Sequence, residues 1–293
     1  MIVIQMEGKW MIKVIKERVI KNNKYIHYSL LWIFRYMPRI MTFNFFRMLR
    51  KYGIYSGYNY EKLKGFKDKH KGERCFIVAT GPSLKLEDLE MLKNESTFSM
   101  NSIVLSYEDT GWRPTYYGIQ DLRAYEKLKE AISTANMPYT FCGISTKKLS
   151  PPISGDFIAY PLNLLDHNGV KLKHFTKFSD DAFSVIYDGF TITYSLMQLA
   201  VYMGFKEIYL LGVDCNYTEK GKNYLKDYIT QTDLNAGYLM AQSYKVAQEY
   251  AEKNGVKIYN ASRGGKLEIF ERVNLDELTF LKGNVDENNV NYQ

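Results

Sequence analysis

The apolar positions of this chain fall into short blocks, each closed by a small or polar residue. Cys75 to Ala79 is an apolar run that breaks abruptly into Thr80-Gly81-Pro82-Ser83. Its length suits a strand buried on both faces, as in a parallel sheet. Thr97-Phe-Ser-Met-Asn101 and Thr115-Tyr-Tyr-Gly-Ile-Gln120 read the same way, the second followed by Asp121 and a helix over Leu122–Ala131. Pro138–Cys142 and Phe157–Tyr160 are further strands. Thr191–Met203 is apolar on nearly every side, which predicts a buried helix that Gly204 stops. Glu207-Ile-Tyr-Leu-Leu211 is a buried strand ending in Gly212-Val-Asp214. Ala236–Lys253 is an amphipathic helix closed by Asn254-Gly255, Val256–Tyr259 is the last clear strand, and Asn274–Leu281 is a short final helix.

Strands alternating with helices predict a doubly wound, mostly parallel, Rossmann-like α/β sheet. Ligands of such sheets sit beyond the carboxyl ends of the strands, where strand order reverses. Gly81, Ser83, Asn101, Asp121 and Asp214 would then share one rim, although each alone also fits an ordinary turn. The Thr80–Ser83 turn is the most suggestive of them. A strand that ends in a tight glycine turn and opens a helix points backbone N–H groups at an anion. Ser83 is a suitable N-cap for a helix over Leu84–Leu92. A plain turn with no ligand fits the local sequence equally well.

The first seventy residues have a different pattern. Residues 9–24 mix Lys and Arg with Ile, Val and Met at helical spacing, and 28–49 are rich in Leu, Trp, Ile, Phe and Met. The second stretch is long enough to span a bilayer, but Arg35, Arg39, Arg47 and Pro38 interrupt it. Each central Arg costs about 3 kcal/mol, which argues against spanning. Basic residues interleaved with large apolar ones fit helices lying on an anionic membrane surface. A helical hairpin packed on the main domain or on a second subunit is the alternative. Tyr52–Gly72, rich in Gly, Tyr and Lys, reads as a linker. The expected organisation is a basic helical extension and linker at 1–72, a nucleotide-binding domain at 73–282 and a polar tail at 283–293.

Charge sharpens that division. The net charge is +7, with 39 Lys and Arg against 32 Asp and Glu. Residues 1–72 hold 16 basic and 4 acidic side chains, leaving 23 basic and 28 acidic in the remainder. A nucleic-acid enzyme would more often carry its basic face on the folded body, so no nucleic-acid partner is expected. Cys75, Cys142 and Cys215 lie in or beside strands without C-x-x-C spacing, which fits reduced thiols in the cytoplasm and not zinc. The N-terminus shows no signal-peptide pattern.

Motif absences narrow the chemistry. Gly81 matches neither G-x-G-x-x-G nor G-x-x-x-x-G-K-[ST], so a nicotinamide dinucleotide and a P-loop are both unsupported. His27, His70, His167 and His174 form no H-x-E or H-E-x-x-H, and no G-x-S-x-G elbow is present. No D-x-D pair stands ready for a metal on a nucleotide diphosphate, and Asp180-Asp181 read as a solvated loop. No metal site and no permanently bound cofactor are expected, and no motif requires Mg²⁺. A monophosphate leaving group carries less charge than a diphosphate, and hydrogen bonds or tyrosine hydroxyls can serve it.

Three segments carry a family resemblance: 71–123 with its Arg-Cys-Phe-Ile-Val-Ala-Thr-Gly-Pro-Ser-Leu core, Tyr187-Asp-Gly-Phe-Thr191 with Met203–Asp214, and Ile258–Glu268. Together they resemble the 6-hydroxymethylpterin diphosphokinase MptE-like family over roughly residues 71–275. That family is similar in turn to bacterial sialyltransferases that use CMP-activated nonulosonic acids, and to the motility accessory factor glycosyltransferases. The resemblance implies contacts to CMP from Gly81, Pro82, Ser83, Asn101 and Gln120 or Asp121. Thr191 and Thr193 would match the sialyltransferases' Thr-Ser-Gly segment, and Gly212 with Asp214 their Gly-Ile-Asp. Tyr217 and Tyr224 would match two tyrosines that steady the departing phosphate. The family's histidine base is missing, because Tyr238 occupies that region. A phenol of pKa near 10 is a poor base at neutral pH unless its surroundings shift it. His167 and His174 are the other candidates, and the base stays unassigned.

The implied activity is a glycosyltransferase of cell-surface polysaccharide or glycoconjugate synthesis, with a nucleotide-sugar donor, CMP-linked by the resemblance, and a glycan or lipid-linked acceptor. The alternative is a diphosphokinase of the 6-hydroxymethylpterin type, which would need Mg²⁺ and convergent charged groups. The expected location is the cytoplasm, with peripheral contact at the inner face of the cytoplasmic membrane if residues 1–50 bind lipid. A homo-oligomer is expected if they pack on a second subunit instead.

Overall fold

The computed structural model describes residues 29–30, 32–54, 60–145, 156–164, 176–216, 225 and 235–278. Nine strands form one sheet, and every pairing in it is parallel: β1 (Arg74–Val78), β2 (Thr97–Met100), β3 (Tyr116–Ile119), β4 (Tyr139–Ser145), β5 (Ile158–Asn163), β6 (Ile186–Tyr187), β7 (Glu207–Leu211), β8 (Lys257–Asn260) and β9 (Glu271–Arg272). Their order is β6-β5-β4-β3-β2-β1-β7-β8-β9. The order runs outward from β1 in one direction, then restarts beside β1 with β7. The reversal therefore falls between β1 and β7, where Val78 pairs with Leu211.

The helices are α1 (Met37–Lys51), α2 (Glu61–Lys64), α3 (Leu86–Glu90), α4 (Leu122–Thr134), α5 (Ile192–Tyr202) and α6 (Ala236–Asn254). The α5 helix is buried along almost its whole length, as its uniform apolarity predicts, and packs on β1, β2 and β3. Gly118 in β3 makes that packing possible. A Cβ there would lie 2.9 Å from Leu196 Cδ2 and 3.2 Å from Ile192 Cδ1.

Most strand and helix bounds match the sequence reading to within a few residues, and Glu207–Leu211 matches outright. The short edge strands β6 and β9 and the 3₁₀ turn at Asn101–Ser106 had no clear periodicity to reveal them. The helix expected over Leu84–Leu92 is shorter, and its N-cap is Lys85 and not Ser83. The Lys85 N–H donates to Asp88 Oδ2 at 3.0 Å, so the chain caps this helix from within. Of the expected final helix, 275–278 is helical, and the remainder lies outside the described residues.

The segment read as a linker does structural work from residue 60 onward. Tyr60, Leu63 and Phe66 are buried in the core. The backbone N–H groups of Asp68, His70 and Gly72 donate to Tyr202, Met203 and Gly204 carbonyls at 3.2, 2.8 and 2.9 Å. This segment closes the amino-end side of the sheet over an aromatic cluster. Phe66 meets Tyr139 and Phe141 edge-on at 5.2 and 5.3 Å, and His70 stacks on Phe205 at 4.5 Å. The high aromatic content of the chain is partly spent here, on the side away from the strands' carboxyl ends. By compactness the chain divides into Met1–Leu49 and Arg50–Gln293.

Candidate functional site

The carboxyl edge of the sheet gathers most of the predicted residues. The turn after β1 meets the turn after β7 at the switch point. Gly81 N–H donates to Gly212 O at 2.9 Å, and Ala79 N–H to Leu211 O at 2.8 Å. This approach leaves no room for a side chain: a Cβ on Gly81 would lie 2.4 Å from Gly212 O and 2.8 Å from Asp214 Oδ2.

Asp214 locks the turn. Its Oδ2 accepts from the Ser83 backbone N–H at 2.8 Å, and its Oδ1 accepts from the Ser83 hydroxyl. The carboxylate is thus committed to Ser83 across the switch point and is 7% exposed. The loop after β8 closes over it. Lys266 N–H donates to Asp214 O at 2.7 Å, and Val213 N–H to Ser262 Oγ at 3.0 Å. Buried Asn260 holds that loop by donating to Leu267 O at 2.6 Å and accepting from Ser262 N–H at 3.0 Å. Next to Asp214, burial chiefly and the carboxylate secondarily push the Cys215 thiol up to about 12. At neutral pH it carries no charge into the site.

Asn101 follows β2 in the left-handed backbone region, at φ 48°. Its carbonyl accepts from Tyr117 Oη–H at 2.9 Å. Its side-chain Oδ1 is buried and has no hydrogen-bond partner among the described residues. Non-glycine residues hold this backbone region at a cost, and such strain concentrates at ligand sites. Extending the strand register puts Asp214, Gly81, Asn101 and Gln120 on four neighbouring strand ends, β7-β1-β2-β3. Three strand spacings make that row about 14 Å long.

Gln120 is the inward-facing residue after β3, and Asp121 is not. Asp121 caps its own helix, accepting from Arg123 N–H at 2.7 Å and Ala124 N–H at 3.4 Å. Gln120 Nε2 donates to Asp188 Oδ1 at 2.7 Å, and its Oε1 accepts from Tyr160 Oη–H at 2.9 Å. Burial first, with Cys142 and Asp188 adding to it, drives the Tyr160 phenol well above its ordinary value. The phenol therefore keeps the proton that orients the Gln120 amide. Asp188 Oδ2 accepts from Phe190 N–H at 3.0 Å, which forms the tight turn into α5.

That turn carries the start of α5 to the end of β2. Thr191 caps α5 by accepting from Thr193 N–H at 3.3 Å, and the buried Thr193 hydroxyl reaches Met100 Sδ at 3.4 Å. Both threonines thus build the site from behind. Tyr238, in the first turn of α6, is 64% exposed. Pro82 sits in the Gly81–Ser83 turn. Tyr217, Tyr224, His167 and His174 lie outside the described residues.

Sequence reasoning did not assign roles to Asp188, Tyr160 or Asn260, and it named Arg263, with Lys266, only as a basic group for the kinase alternative. Asp188-Gly189 and Gly264-Gly265 were the available signals, since such pairs mark tight turns. Arg263 bridges two carboxylates, Asp88 at 2.8 Å and Asp276 at 2.7 Å. Its hydrogen bonds to Asp276 and Asp88 raise its already high pKa further. Among the described residues, no group of three or more His, Cys, Asp and Glu is arranged to hold a metal ion.

The model of the 6-hydroxymethylpterin diphosphokinase MptE-like family matches residues 47–220. The chain belongs to that family. The match begins well before residue 71, in keeping with the packing of Tyr60, Leu63 and Phe66 into the core. No curated protein matches the chain. Among solved structures, the MAf glycosyltransferase from Magnetospirillum magneticum AMB-1 is similar at 17% identity and a TM-score of 0.48, over 79% of this chain and 42% of that one. The chain thus spans less than half the length of that enzyme. The sialyltransferase CstII from Campylobacter jejuni, in complex with cytidine-5′-monophosphate, is similar at 18% identity and a TM-score of 0.41, over 69% of this chain and 85% of that one.

Proposed function

We propose that the chain is a glycosyltransferase that binds a nucleotide-activated sugar, CMP-linked, along the β7-β1-β2-β3 rim. The observation that carries this reading is Asn101, held at φ 48° at the end of β2 with a buried Oδ1 that has no partner among the described residues. A side-chain carbonyl in that state suits a donor such as a cytosine amino group or a ribose hydroxyl. On the same rim Ser83 is bonded to Asp214 and Gln120 to Asp188 and Tyr160, which leaves Asn101 as the side chain that a ligand would complete. The family motifs around Thr80–Ser83, Asn101 and Gly212–Asp214 support the same reading.

In the proposed reaction an acceptor hydroxyl oxygen attacks the anomeric carbon of the donor sugar. The bond from that carbon to the phosphate oxygen breaks, and CMP leaves with the electron pair. The hydroxyl proton passes to a base, for which Tyr238, His167 and His174 remain the candidates. Tyr217 and Tyr224 are proposed to donate hydrogen bonds to the departing phosphate. No cofactor or metal is assigned to this reaction. The acceptor proposed is a cell-surface polysaccharide or glycoconjugate, modified from the cytoplasmic side.

A diphosphokinase is the second reading, favoured by the description of the family itself. It would turn arginines onto the phosphates. Beside the rim, Arg263 is held by Asp88 and Asp276, and Arg272 by Glu268 at 2.6 Å. Calorimetric titration with CMP, CDP, UDP, GDP and ATP, with and without Mg²⁺, separates the readings. Metal-independent preference for CMP is expected. Tight Mg·ATP binding with indifference to CMP would overturn the proposal in favour of the kinase.

A further inference from the structure

The α1 helix carries a solvent-exposed apolar stripe. Met37, Met41, Phe45 and Met48 are 42%, 64%, 53% and 46% exposed, while Phe43 is 4% exposed. At 3.6 residues per turn the four lie within about 80° of arc, and Phe43 points the opposite way. Exposed large apolar side chains continue at both ends of the helix, with Phe34 at 75%, Tyr52 at 70% and Ile54 at 72%. A turn of π-helix at Trp32–Tyr36 precedes α1, and Pro38 sits in its first turn. Pro38 follows the π-turn directly, and a proline's missing N–H and ring disturb the i→i−4 ladder at such a point.

Charge decides what the stripe meets. Between residues 18 and 60 there is no acidic residue, against the basic residues Arg18, Lys21, Lys24, Arg35, Arg39, Arg47, Arg50 and Lys51. Among the described residues no helix is long and apolar enough to cross a membrane. An apolar face flanked by cations such as Arg47 and Lys51, in a stretch without acidic residues, suits a helix lying in the plane of an anionic bilayer. We infer that α1 is an interfacial anchor that docks this chain on an anionic lipid surface through Met37, Met41, Phe45 and Met48, with Arg47 and Lys51 beside the headgroups. This inference is independent of the catalytic reading, since it uses no residue of the rim.

The test is flotation of the full chain with vesicles of equal parts phosphatidylglycerol and phosphatidylcholine, against phosphatidylcholine alone. Binding to the anionic vesicles is expected to be at least about tenfold tighter, because each cation near the surface contributes about fivefold. Met41→Ser with Phe45→Ser should lower partitioning onto anionic vesicles by at least about tenfold. Arg47→Gln with Lys51→Gln should lower it by up to about 25-fold, about fivefold for each cation, and weaken its salt dependence. Equal flotation with both vesicle types would overturn the inference, as would unchanged partitioning of both variants. So would a concentration-dependent dimer, seen by light scattering, that floats with neither vesicle and that Met41→Ser with Phe45→Ser dissociates. Should the apolar variant fail to fold, the charge variant decides alone.

Discussion

Ser83 and Asp214 are 131 residues apart and bind each other through two hydrogen bonds across the β1/β7 switch point, the Ser83 N–H reaching Asp214 Oδ2 at 2.8 Å. A carboxylate so placed is first a latch on the Thr80–Ser83 turn. Asp214→Ala is expected to cost about 1–3 kcal/mol, because the Ser83 N–H loses its acceptor. Asp214→Asn keeps one acceptor and should recover part of that. Urea unfolding of the two variants measures both, and an Asp214→Ala midpoint equal to the parent would contradict the latch.

Asn101 offers a separation of binding from folding. Asn101→Gly relieves a positive φ while removing the buried Oδ1. The melting temperature should hold or rise, and CMP affinity should fall by about fivefold to tenfold, the loss of roughly one hydrogen bond. Calorimetry beside a thermal melt checks the pair. Unchanged affinity would remove Asn101 from the nucleotide site.

Gly81→Ala forces a methyl to within 2.4 Å of Gly212 O. The strand ends must part to admit it, at a cost of about 1–3 kcal/mol. Because the same movement reshapes the rim, nucleotide affinity should fall together with the unfolding midpoint. Fluorescence-monitored unfolding and titration should therefore move in concert for this variant, in contrast to Asn101→Gly.

The Tyr160–Gln120–Asp188 chain predicts an order of severity. Gln120→Leu removes a donor from a carboxylate that is 3% exposed, and should cost about 1–3 kcal/mol. Tyr160→Phe removes the bond that orients the amide and leaves the carboxylate its donor, and about 1 kcal/mol is expected. A larger loss for Tyr160→Phe in chemical denaturation would show that the phenol matters more than the amide.

Alkaline pH should destabilise the fold through its thiols. Burial pushes both Cys142 and Cys215 up to about 12, from an ordinary value near 9. Both are protonated in the native state where the unfolded chain has already lost the proton. Their contribution is complete below about pH 8.5 and declines as pH rises toward 12, by about 1.4 kcal/mol per pH unit for each thiol. Unfolding midpoints measured upward from pH 8 should fall accordingly. Cys142→Ala with Cys215→Ala should lessen the decline, and what remains comes from Cys75 and the buried tyrosines, which burial also raises.

Much of this molecule is written locally. Burial on both faces leaves uninterrupted apolar runs, so Cys75–Ala79 and Glu207–Leu211 announce themselves as strands of a parallel sheet. A helix enclosed on all sides is apolar on all sides, as Ile192–Tyr202 is. The alternation of these elements is enough for the fold class, and the polar residue closing each strand locates the rim.

Only the tertiary structure decides which side chains on that rim meet. Ser83 has the composition of an N-cap, yet Asp214 takes both of its donors, and Lys85 caps the helix instead. Asp121 and Gln120 stand side by side in the chain, but one turns to its own helix and the other to Asp188. Residues 60–72 look like a linker, and their few apolar side chains nevertheless complete the core. The physical reason is common to all three. Periodicity records whether a position is buried, whereas a hydrogen-bond partner is set by which strands lie side by side. That order reverses between β1 and β7, and no local pattern encodes it.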